Sequence, residues 1–406
     1  MKIFGQDLFD FLKDRGLVYQ ATDLENVKKM LNGKTPVTFY LGIDPTAESL
    51  HVGHLCSLRT FSYLQKAGHH GILLLGGATG HIGDPTGRRD MRTMLSSDAI
   101  EANVKKIMAI VKRFVKTDGE NPAIIVNNND WMKNYSYIDF LRDVGTHFNV
   151  NVMLSTDACK TRLASGGLTF LEMGYPLIQA HDFEELFKKY GCTLEVGGSD
   201  QWANMVAGCD LIRKKYNKAV ETLTTPLLLN SKGEKMGKTS GGAVWLSEDK
   251  MSVYDFYQYF MNVGDEDVKT LLRWFSDFSN AEIEKIMSGD IREAKRIMAF
   301  EVTKLVHGEE KAKGAQKTAS EIFGGTGNSE TMETKTIKAA KKEINVCDLL
   351  LEAGLVASKG EARRLIEQNG ISLDDKKVSD INQIVPAKGE IVAKKGKKIF
   401  LKIKFN

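Results

Sequence analysis

Residues 40–54 read Y-L-G-I-D-P-T-A-E-S-L-H-V-G-H, and this stretch decides the fold. The apolar run that leads into it predicts a buried strand, which Pro45 ends. His51 and His54 stand three residues apart where a helical pattern begins, so both imidazoles are expected on one helix face. The amino end of a helix favours anions, and Gly53 would let a flat ligand approach the backbone. The stretch therefore indicates a phosphate site for a nucleotide, although two surface histidines on an ordinary helix fit the same short pattern.

Further apolar runs predict strands, and a polar loop follows each of them. The loops come after Ile43, Leu75, Val126 and Val196, and helical patterns separate the runs. Strands that alternate with helices indicate a parallel sheet with helices on both faces. In such sheets ligands bind beyond the carboxyl ends of the strands, so these four loops are expected to meet at one pocket.

The predicted fold class is therefore α/β, with a doubly wound, Rossmann-like parallel sheet in the first domain. We place that domain at residues 1–247 and an all-α domain at 248–323, where strand patterns are absent and basic residues are interleaved. Residues 324–343 are poor in large apolar side chains, which predicts a linker. Residues 344–406 read as two short helices followed by short strands, a small α+β domain.

Composition excludes several classes of protein. The chain has 406 residues, 42% of them hydrophobic and 27% charged, as in ordinary soluble globular proteins. No apolar run approaches the length of a membrane span, and the first residues lack the pattern of a signal peptide. The five cysteines are scattered without a CxxC spacing, so neither a disulfide framework nor a zinc site is predicted. We expect a cytoplasmic protein that does not bind membranes.

The net charge is concentrated near the end of the sequence. Residues 345–406 contain twelve Lys or Arg and eight Asp or Glu, a balance of +4 that equals the net charge of the whole chain. Such a segment suits a polyanionic partner. A solvated basic face accounts for the charge nearly as well.

A second functional pattern lies at residues 230–240, N-S-K-G-E-K-M-G-K-T-S. Lys235 and Lys238 flank Gly237, and two such cations suit the negative charge that develops when a nucleotidyl group is transferred. The glycine spacing is not that of a Walker P-loop, so that motif is unsupported. Taken alone, the pattern also fits a plain basic loop.

Taken in order, these motifs resemble the two signatures of the class I aminoacyl-tRNA synthetases, which are usually written HIGH and KMSKS. Here they stand as H-V-G-H at 51–54 and K-M-G-K-T at 235–239. Three further segments, G-G-A-T-G-H-I-G-D-P-T-G, Y-P-L-I-Q-A-H-D-F and G-G-S-D-Q-W, extend the resemblance to the bacterial tyrosyl-tRNA synthetases, over nearly the whole chain. The departures are mild: a valine replaces the isoleucine of HIGH, Gly237 and Thr239 replace the two serines of KMSKS, and Ala203 follows Trp202 where many relatives have glycine. None of them removes a charged or hydrogen-bonding group that the implied mechanism uses.

The resemblance implies roles for individual residues. The implied tyrosine-binding side chains are Tyr40 and Asp182 at the phenolic hydroxyl, with Asp84, Tyr175 and Gln179 at the ammonium group. The implied catalytic residues are Thr46, His51, Lys235, Lys238 and Thr239. The implied ATP-binding residues are Gly42, Asp44, Gly53, His54, Gly198, Asp200, Gln201 and Lys238. Arg88 and Arg92 are expected near the phosphates, and one of Asn127, Asn128 and Asn129 beside the pocket.

Residue chemistry supports part of this assignment independently. Tyr175, Gln179 and Asp182 share one face of a predicted helix, where a buried polar cluster would need a partner. A solvated patch is the alternative for this cluster. An ordinary turn explains Asp84 equally well, and helix capping explains Asp200.

The resemblance further implies the reaction and the partners. L-tyrosine would be activated by ATP to tyrosyl-adenylate, and the tyrosyl group would pass to the 3′ end of tRNA(Tyr). Mg²⁺ is expected with ATP, no other cofactor or protein-bound metal is expected, and a homodimer is implied. The last domain resembles a small RNA-binding module, with Arg363 and Arg364 exposed on its helix.

Two other functions compete with this one. The sister tryptophanyl enzyme shares the fold and the reaction, although Tyr40 with Asp182 favours a phenol over an indole. A non-catalytic RNA-binding protein could retain the same fold, but the intact histidine pair and lysine pair argue against it.

Overall fold

The computed structural model of the chain describes residues 1–86, 94–239, 242–323, 334–337, 343–374, 376–396 and 399–405. The side chains of residues 238–239, 322–323, 334 and 399–400 are not part of that description. The chain forms two compact units, Met1–Gln316 and Lys317–Asn406. Each unit is described by itself.

The described residues of the first unit form ten strands. They are β1 (Lys2–Ile3), β2 (Gln6–Asp7), β3 (Gln20–Ala21), β4 (Thr38–Ile43), β5 (His70–Leu75), β6 (Ile124–Asn127), β7 (Leu194–Gly198), β8 (Glu221–Thr225), β9 (Lys238–Thr239) and β10 (Gly242–Ala243).

Helices connect and cover these strands. They are α1 (Leu8–Asp14), α2 (Leu24–Asn32), α3 (Leu55–Lys66), α4 (Thr79–Ile82), α5 (Ser97–Val111), α6 (Asn129–Met132), α7 (Tyr137–Asp143), α8 (Val150–Leu154), α9 (Asp157–Ser165), α10 (Phe170–Tyr190), α11 (Trp202–Tyr216), α12 (Val253–Met261), α13 (Val268–Phe275), α14 (Asn280–Met287), α15 (Ile291–His307) and α16 (Glu309–Phe323). The boundary between the two units falls inside α16.

Six strands form the main sheet, in the order β3-β8-β7-β4-β5-β6. Strands β4 to β8 run parallel, and β3 is antiparallel to β8. From β4 the chain continues to β5 on one side, whereas β7 lies on the other side. The order of the strands therefore reverses between β4 and β7, and this is where an open α/β sheet binds its ligands. The predicted doubly wound α/β fold is confirmed.

Strand β4 is apolar along most of its length because both faces of the sheet are covered. Phe39 packs against Phe61 of α3, with ring centroids 4.8 Å apart. The next residue, Tyr40, points to the opposite face and packs against Phe183 of α10 at 5.2 Å. The strand thus fixes two helices, one on each face, and directs Tyr40 towards α10.

Helix α10 is the longest helix near the sheet, and its amino end is firmly held. Thr169 and Glu172 form a reciprocal capping box, which satisfies two backbone donors at the helix start. Glu172 also accepts two hydrogen bonds from buried Arg162, at 2.8 and 2.9 Å. This anchoring fixes the rotation of α10, and with it the direction of the polar side chains further along.

The region after residue 248 is helical, as the sequence predicts, and it belongs to the first compact unit. Arg15 of the connection after α1 donates to the carbonyl oxygens of Arg273 and Phe278, which ties that connection to the end of α13. A domain boundary at 247/248 remains a prediction. In the early part of the chain the short strands β1 and β2 precede α1, and β3 separates α1 from α2.

The described residues of the second unit form the end of α16, a mixed sheet and two further helices. Its elements are β11 (Thr334–Ile337), β12 (Glu343–Asn345), α17 (Val346–Glu352), α18 (Lys359–Glu367), β13 (Ile371–Leu373), β14 (Lys376–Lys377), β15 (Ile384–Pro386), β16 (Glu390–Lys395) and β17 (Ile399–Phe405). The sheet order is β11-β17-β16-β13-β14, and β12 pairs with β15. Strand β11 lies within the segment that composition predicts as a linker, and it pairs in parallel with β17.

No helix within the described part of the chain is long and apolar enough to cross a membrane.

Candidate active site

A cavity of about 460 Å³ opens at the carboxyl ends of β4 and β7, where the strand order reverses. Fifteen of the residues named from the sequence line it together. They are Tyr40, Gly42, Asp44, Thr46, His51, Gly53, His54, Asp84, Tyr175, Gln179, Asp182, Gly198, Asp200, Gln201 and Lys235. Residues from widely separated parts of the sequence therefore share one cavity.

The other named residues lie elsewhere or outside the description. The backbone of Lys238 and Thr239 forms β9, which pairs with β10, but their side chains are not described. Arg88 and Arg92 lie outside the described residues. Arg363 and Arg364 are exposed on α18 of the second unit.

His51 caps the amino end of a 3₁₀ turn, Val52–His54, that leads into α3, and His54 is the last residue of that turn. The Nδ1 atom of His51 accepts from the Gly53 amide at 3.1 Å, and the Nδ1 atom of His54 faces the His51 amide at 3.3 Å. Their rings are 4.2 Å apart. A Cβ atom on Gly53 would lie 2.8 Å from the His51 ring, so a side chain here would displace that imidazole. The pair shares one side as expected, although a tight turn rather than a regular helix holds it.

The lysine-containing loop, residues 230–239, and the segment after it pack directly against this histidine turn. Val52 donates to the carbonyl of Val244 at 3.0 Å, and Leu246 donates to the carbonyl of Leu50 at 2.8 Å. Gly237 has a φ of +86°, and a Cβ atom there would lie 2.5 Å from the Val52 side chain. Backbone hydrogen bonds thus join the histidine turn to the segment just after the second signature, and the close contact between Gly237 and Val52 joins the two signatures and requires glycine.

One end of the cavity is built around a buried carboxyl group. Asp182 is 1% exposed, and it accepts hydrogen bonds from Asn128 Nδ2 and Trp131 Nε1, both at 2.9 Å. Burial raises the pKa of Asp182 to about 8, although both hydrogen bonds act to lower it. Of the three asparagines left open by the sequence, Asn128 is the one that contacts this carboxyl group.

A second carboxyl group, that of Asp44, organises the adjoining part of the cavity. It accepts from the Tyr175 hydroxyl at 2.8 Å and from the Thr79 hydroxyl at 2.6 Å. Asn128 donates to Thr79 Oγ1 at 3.1 Å as well as to Asp182. A continuous hydrogen-bonded chain therefore runs from Tyr175 through Asp44 to Asp182.

The loops after β5 and β7 meet at a third carboxyl group. Gln201 Nε2 donates to Asp84 Oδ2 at 2.6 Å, and the Thr86 amide donates to Asp84 Oδ1 at 2.9 Å. Burial raises the pKa of nearby Asp200, while the positive charge of Lys235 acts to lower it. Asp200 therefore lies close enough to Lys235 for the two charges to interact.

Glu195 is a site residue that the sequence reasoning missed, since it was read only as part of a strand. It is 3% exposed, lines the cavity, and accepts from Gln179 Nε2 at 3.1 Å. Burial raises its pKa to about 7, against the lowering effect of Tyr40 and Gln179. The sequence did contain a signal for this residue, namely a glutamate within the apolar strand L-E-V. A charged side chain in a buried strand requires a polar partner, so it could have been named as a site candidate.

Comparison with known proteins identifies the family of this chain. Residues 32–324 match the family model described as tRNA synthetases class I (W and Y). The chain belongs to this family.

Within these class I synthetases, two findings point to the tyrosine branch. Residues 328–403 match the model described as the Tyrosine--tRNA ligase SYY-like C-terminal domain. A tyrosine–tRNA ligase of Clostridium tetani is 44% identical, and one of Acetivibrio thermocellus is 45% identical. Both alignments cover 98% of this chain and 99% of the relative.

A solved structure agrees with this placement. The C-terminally truncated mitochondrial tyrosyl-tRNA synthetase of Coccidioides posadasii aligns with a TM-score of 0.67 at 32% identity, over 77% of this chain and 91% of that one. The first family model covers both the tryptophan and the tyrosine enzymes, but the second model and the full-length relatives carry tyrosine in their names. This class I synthetase is therefore of the bacterial tyrosine–tRNA ligase type rather than of the tryptophanyl type.

Proposed function

We propose that the cavity at the carboxyl edge of the sheet is where this tyrosine–tRNA ligase forms tyrosyl-adenylate from L-tyrosine and ATP. The observation that carries the proposal is the meeting of the histidine turn, Lys235 and the Asp182 network in one cavity. The tyrosyl group then passes from the adenylate to the 3′ end of tRNA(Tyr).

The first step needs no nucleophile from the protein. The carboxylate of tyrosine attacks the α-phosphate of ATP, and pyrophosphate leaves. Catalysis then depends on holding the reactants in line and on stabilising the charge that develops on the phosphates. We propose that Mg²⁺ enters as part of the ATP substrate, bound to its phosphates.

We propose that tyrosine lies with its phenol towards Tyr40 and Asp182. Tyr40 is 1% exposed, and its hydroxyl has no hydrogen bond of ordinary geometry among the described residues. A phenolic hydroxyl between Tyr40 and Asp182 would supply the missing partner. Phenylalanine would leave these buried groups unpaired, which is the physical basis for rejecting it.

The ammonium group of tyrosine would then face Tyr175, Gln179 and Asp84. The Tyr175 hydroxyl is held by Asp44, so its oxygen atom is directed as a further acceptor. Three acceptor groups suit an ammonium group, which has only donors.

ATP would occupy the side of the cavity formed by the histidine turn. Gly53 allows the adenine to lie against the backbone, and His54, Gly42, Asp44, Gly198, Asp200 and Gln201 surround the nucleoside. Thr46 and His51 would contact the leaving phosphates, and Lys235, Lys238 and Thr239 would close over them from the opposing loop.

Amino-acid-dependent pyrophosphate exchange, measured with all twenty amino acids, tests the reaction. We expect exchange with tyrosine and none of comparable rate with tryptophan. Substitution His51→Ala should slow tyrosine-dependent exchange at least tenfold, because an electrostatic contact to the leaving phosphates is lost.

His70→Ala is the matched control, since His70 is exposed at the start of β5 and its imidazole forms a hydrogen bond with the Asn121 side chain, away from the cavity. An unchanged rate in the His51 variant would contradict the role given to that residue. Absence of exchange with every amino acid would instead favour a non-catalytic RNA-binding protein with the synthetase fold.

We further propose that residues 344–406 bind tRNA through the exposed face of α18. Arg363 and Arg364 lie on that face, while Ala362 and Ile366 of the same helix are buried in the core of the unit. Adjacent exposed guanidinium groups suit contacts with phosphates.

A homodimer formed through the first unit is also proposed. Nine of the sixteen exposed large hydrophobic side chains among the described residues lie between residues 124 and 171. Strand β6, which begins this segment, is an edge strand with two exposed isoleucines. An apolar surface beside an open sheet edge favours burial by a second copy.

We place the protein in the cytoplasm, where its substrates are found.

A further inference from the structure

Glu195 has a place in the cavity wall that the reaction described above does not use. Strands β4 and β7 run side by side, and their register sets Glu195 directly opposite Tyr40. Both side chains line the cavity and both are buried. A carboxylate in this position costs desolvation energy, so its contacts are informative.

The first contact is with Gln179 of α10. Gln179 Nε2 donates to Glu195 Oε1 at 3.1 Å. A carboxylate accepts hydrogen bonds and does not donate them, whereas a glutamine amide can do either. Ionised Glu195 therefore permits only one orientation of the Gln179 amide, with the NH₂ group towards β7.

The second observation concerns the other end of that amide. Gln179 Oε1 is buried and has no hydrogen-bond partner among the described residues. Gln179 lines the cavity, and its donor end is already taken by Glu195. The oxygen is consequently the free polar atom of this side chain, and it suits a ligand that carries donors.

We propose that Glu195 is a positioning residue: it fixes the Gln179 amide so that the carbonyl oxygen faces the ammonium group of the amino acid. The inference rests on the proposed placement of tyrosine in the cavity. If residue 195 were neutral, the amide could rotate and present its NH₂ group, which would repel an ammonium ion.

The ionisation of Glu195 gives the inference a pH dependence. Its pKa is raised to about 7 by burial, so a share of the carboxyl group is protonated below neutrality. The titratable groups that face it are Tyr40 from β4, Asp182 from α10, Cys192 before β7 and Cys209 from α11. Burial raises the pKa of Tyr40 and of both thiols, so these three remain neutral near pH 7, and Asp182 is the other group that titrates there.

The test compares two ligands that differ only in the ammonium group, L-tyrosine and 3-(4-hydroxyphenyl)propionate. Dissociation constants are measured for both with the full-length protein. Both ligands carry the same phenol, so protonation of Asp182 affects both and cancels in their ratio. We expect Glu195→Gln to weaken tyrosine binding roughly tenfold to a hundredfold, with little change for the analogue. The loss should appear in the KM for tyrosine and not in the KM for ATP.

The pH profile separates positioning from a merely structural role. In the wild-type protein the preference for tyrosine over the analogue should increase as pH rises from 6 to 8. In the Glu195→Gln protein that preference should be low and independent of pH. Equal weakening of both ligands, or a wild-type pH profile in the variant, would overturn the inference. If the variant does not fold, the pH dependence of ligand preference in the wild-type protein decides alone. A preference for tyrosine that does not change between pH 6 and pH 8 would overturn the inference.

Two further variants complete the design. Glu221→Gln is the matched control, because Glu221 is a buried carboxylate of the neighbouring strand β8 that accepts from the Asn26 amide outside the cavity. The Glu221→Gln substitution should leave the ratio of the dissociation constants of the two ligands unchanged. Gln179→Met should lower the ratio as Glu195→Gln does, and the double variant should lose little more. If Gln179→Met has no effect, the proposed placement of tyrosine fails; if it has an effect and Glu195→Gln has none, only the present inference fails.

Discussion

Asp182 illustrates how a single residue can serve binding at a cost to stability. Its carboxyl group is buried, and its pKa in the folded protein is about 8 against an ordinary value of 3.8. The folded protein therefore holds a proton that the unfolded chain releases. Between about pH 4 and pH 8 this linkage makes folding progressively less favourable as pH rises.

Asp182→Asn should separate these two effects. The amide bears no charge to desolvate, so the free energy of unfolding should exceed that of the wild-type protein at pH 9 by about 1 kcal/mol or more. The difference should shrink as pH falls towards 4. Tyrosine-dependent exchange should nevertheless fall at least tenfold, because the phenol loses its carboxyl partner.

Denaturant unfolding at several pH values checks the stability of this variant, and pyrophosphate exchange checks its activity. Asp210→Asn, which alters a surface ion pair with Arg213 on α11, is the control and should change neither quantity by much. A variant that is less stable than the wild-type protein at pH 9, or that retains full selectivity over phenylalanine, would contradict the account.

For individual residues, the sequence predicted the site residues that stand in recognisable motifs but not the residues that form hydrogen bonds with them. Tyr40, Tyr175 and Asp182 were named correctly as members of one cavity. Thr79, Trp131 and Glu195 were not named, although they hold or flank those side chains. Such partners come from different strands and loops, so only the folded arrangement shows which polar atom meets which.

At the scale of elements, α10 depends on a buried polar cluster behind the cavity. Glu184 is fully buried and receives hydrogen bonds from His181 of its own helix and from Tyr216 of α11, together with an ion pair from Lys215. Burial acts to raise the pKa of Glu184, but these contacts lower it to about 2. The cluster therefore fixes α10 against α11, and with it the face that carries Tyr175 and Asp182.

Glu184→Gln should reduce the free energy of unfolding by on the order of 3 kcal/mol at pH 7. The folded pKa lies below the ordinary value of 4.5, so this stabilisation is present above that pH. It is lost as pH falls towards 2, where wild type and variant should become equally stable. Glu185→Gln, which alters pairs with the half-exposed Lys188 and Lys189, should cost less than Glu184→Gln, because solvent screens those lysines. Equal effects of the two substitutions in thermal or denaturant unfolding would show that the cluster has no special role.

The elements that position the site were predictable because their signals are local. Apolar runs that end in polar loops gave β4, β5, β6 and β7, and the structure confirms that the carboxyl ends of β4, β5 and β7 meet at the cavity. The segment after β6 does not line the cavity, and it contributes through Asn128 and Trp131, which donate to Asp182. Strands such as β1, β3 and β11 were missed. They are two to four residues long, too short for a periodic pattern, so their existence depends on pairing. Strand β1 pairs with the neighbouring β2, whereas β3 and β11 pair with strands far along the chain.

At the scale of the whole molecule, the division into two units predicts that the two steps of the reaction are separable. A protein that ends after residue 323 retains α16 and every described residue of the cavity. It should form tyrosyl-adenylate at close to the wild-type rate and charge tRNA(Tyr) poorly. In the full-length protein, Arg363→Glu with Arg364→Glu should also reduce charging and weaken its dependence on salt, because phosphate contacts are lost.

Pyrophosphate exchange and tRNA aminoacylation, measured on the same preparations, check both expectations. The crystal structure of a C-terminally truncated relative supports the use of a shortened chain. Full aminoacylation by the truncated protein would contradict the role given to residues 344–406. Loss of exchange in the double arginine variant would show that its defect is not confined to tRNA binding.

The proposed homodimer yields the last prediction. Phe170 begins α10, is 72% exposed, and lies in the segment between residues 124 and 171 where exposed apolar side chains accumulate. If a second copy covers this segment, Phe170→Asp places a charge in an apolar interface, and the cost of desolvating it should shift the protein to monomers. Sedimentation velocity at micromolar concentration measures the change. Tyr19→Asp is the matched control, because Tyr19 is 64% exposed outside this segment and should leave the dimer intact. A wild-type protein that sediments as a monomer, or a Phe170 variant that remains dimeric, would mean that this apolar surface serves another partner.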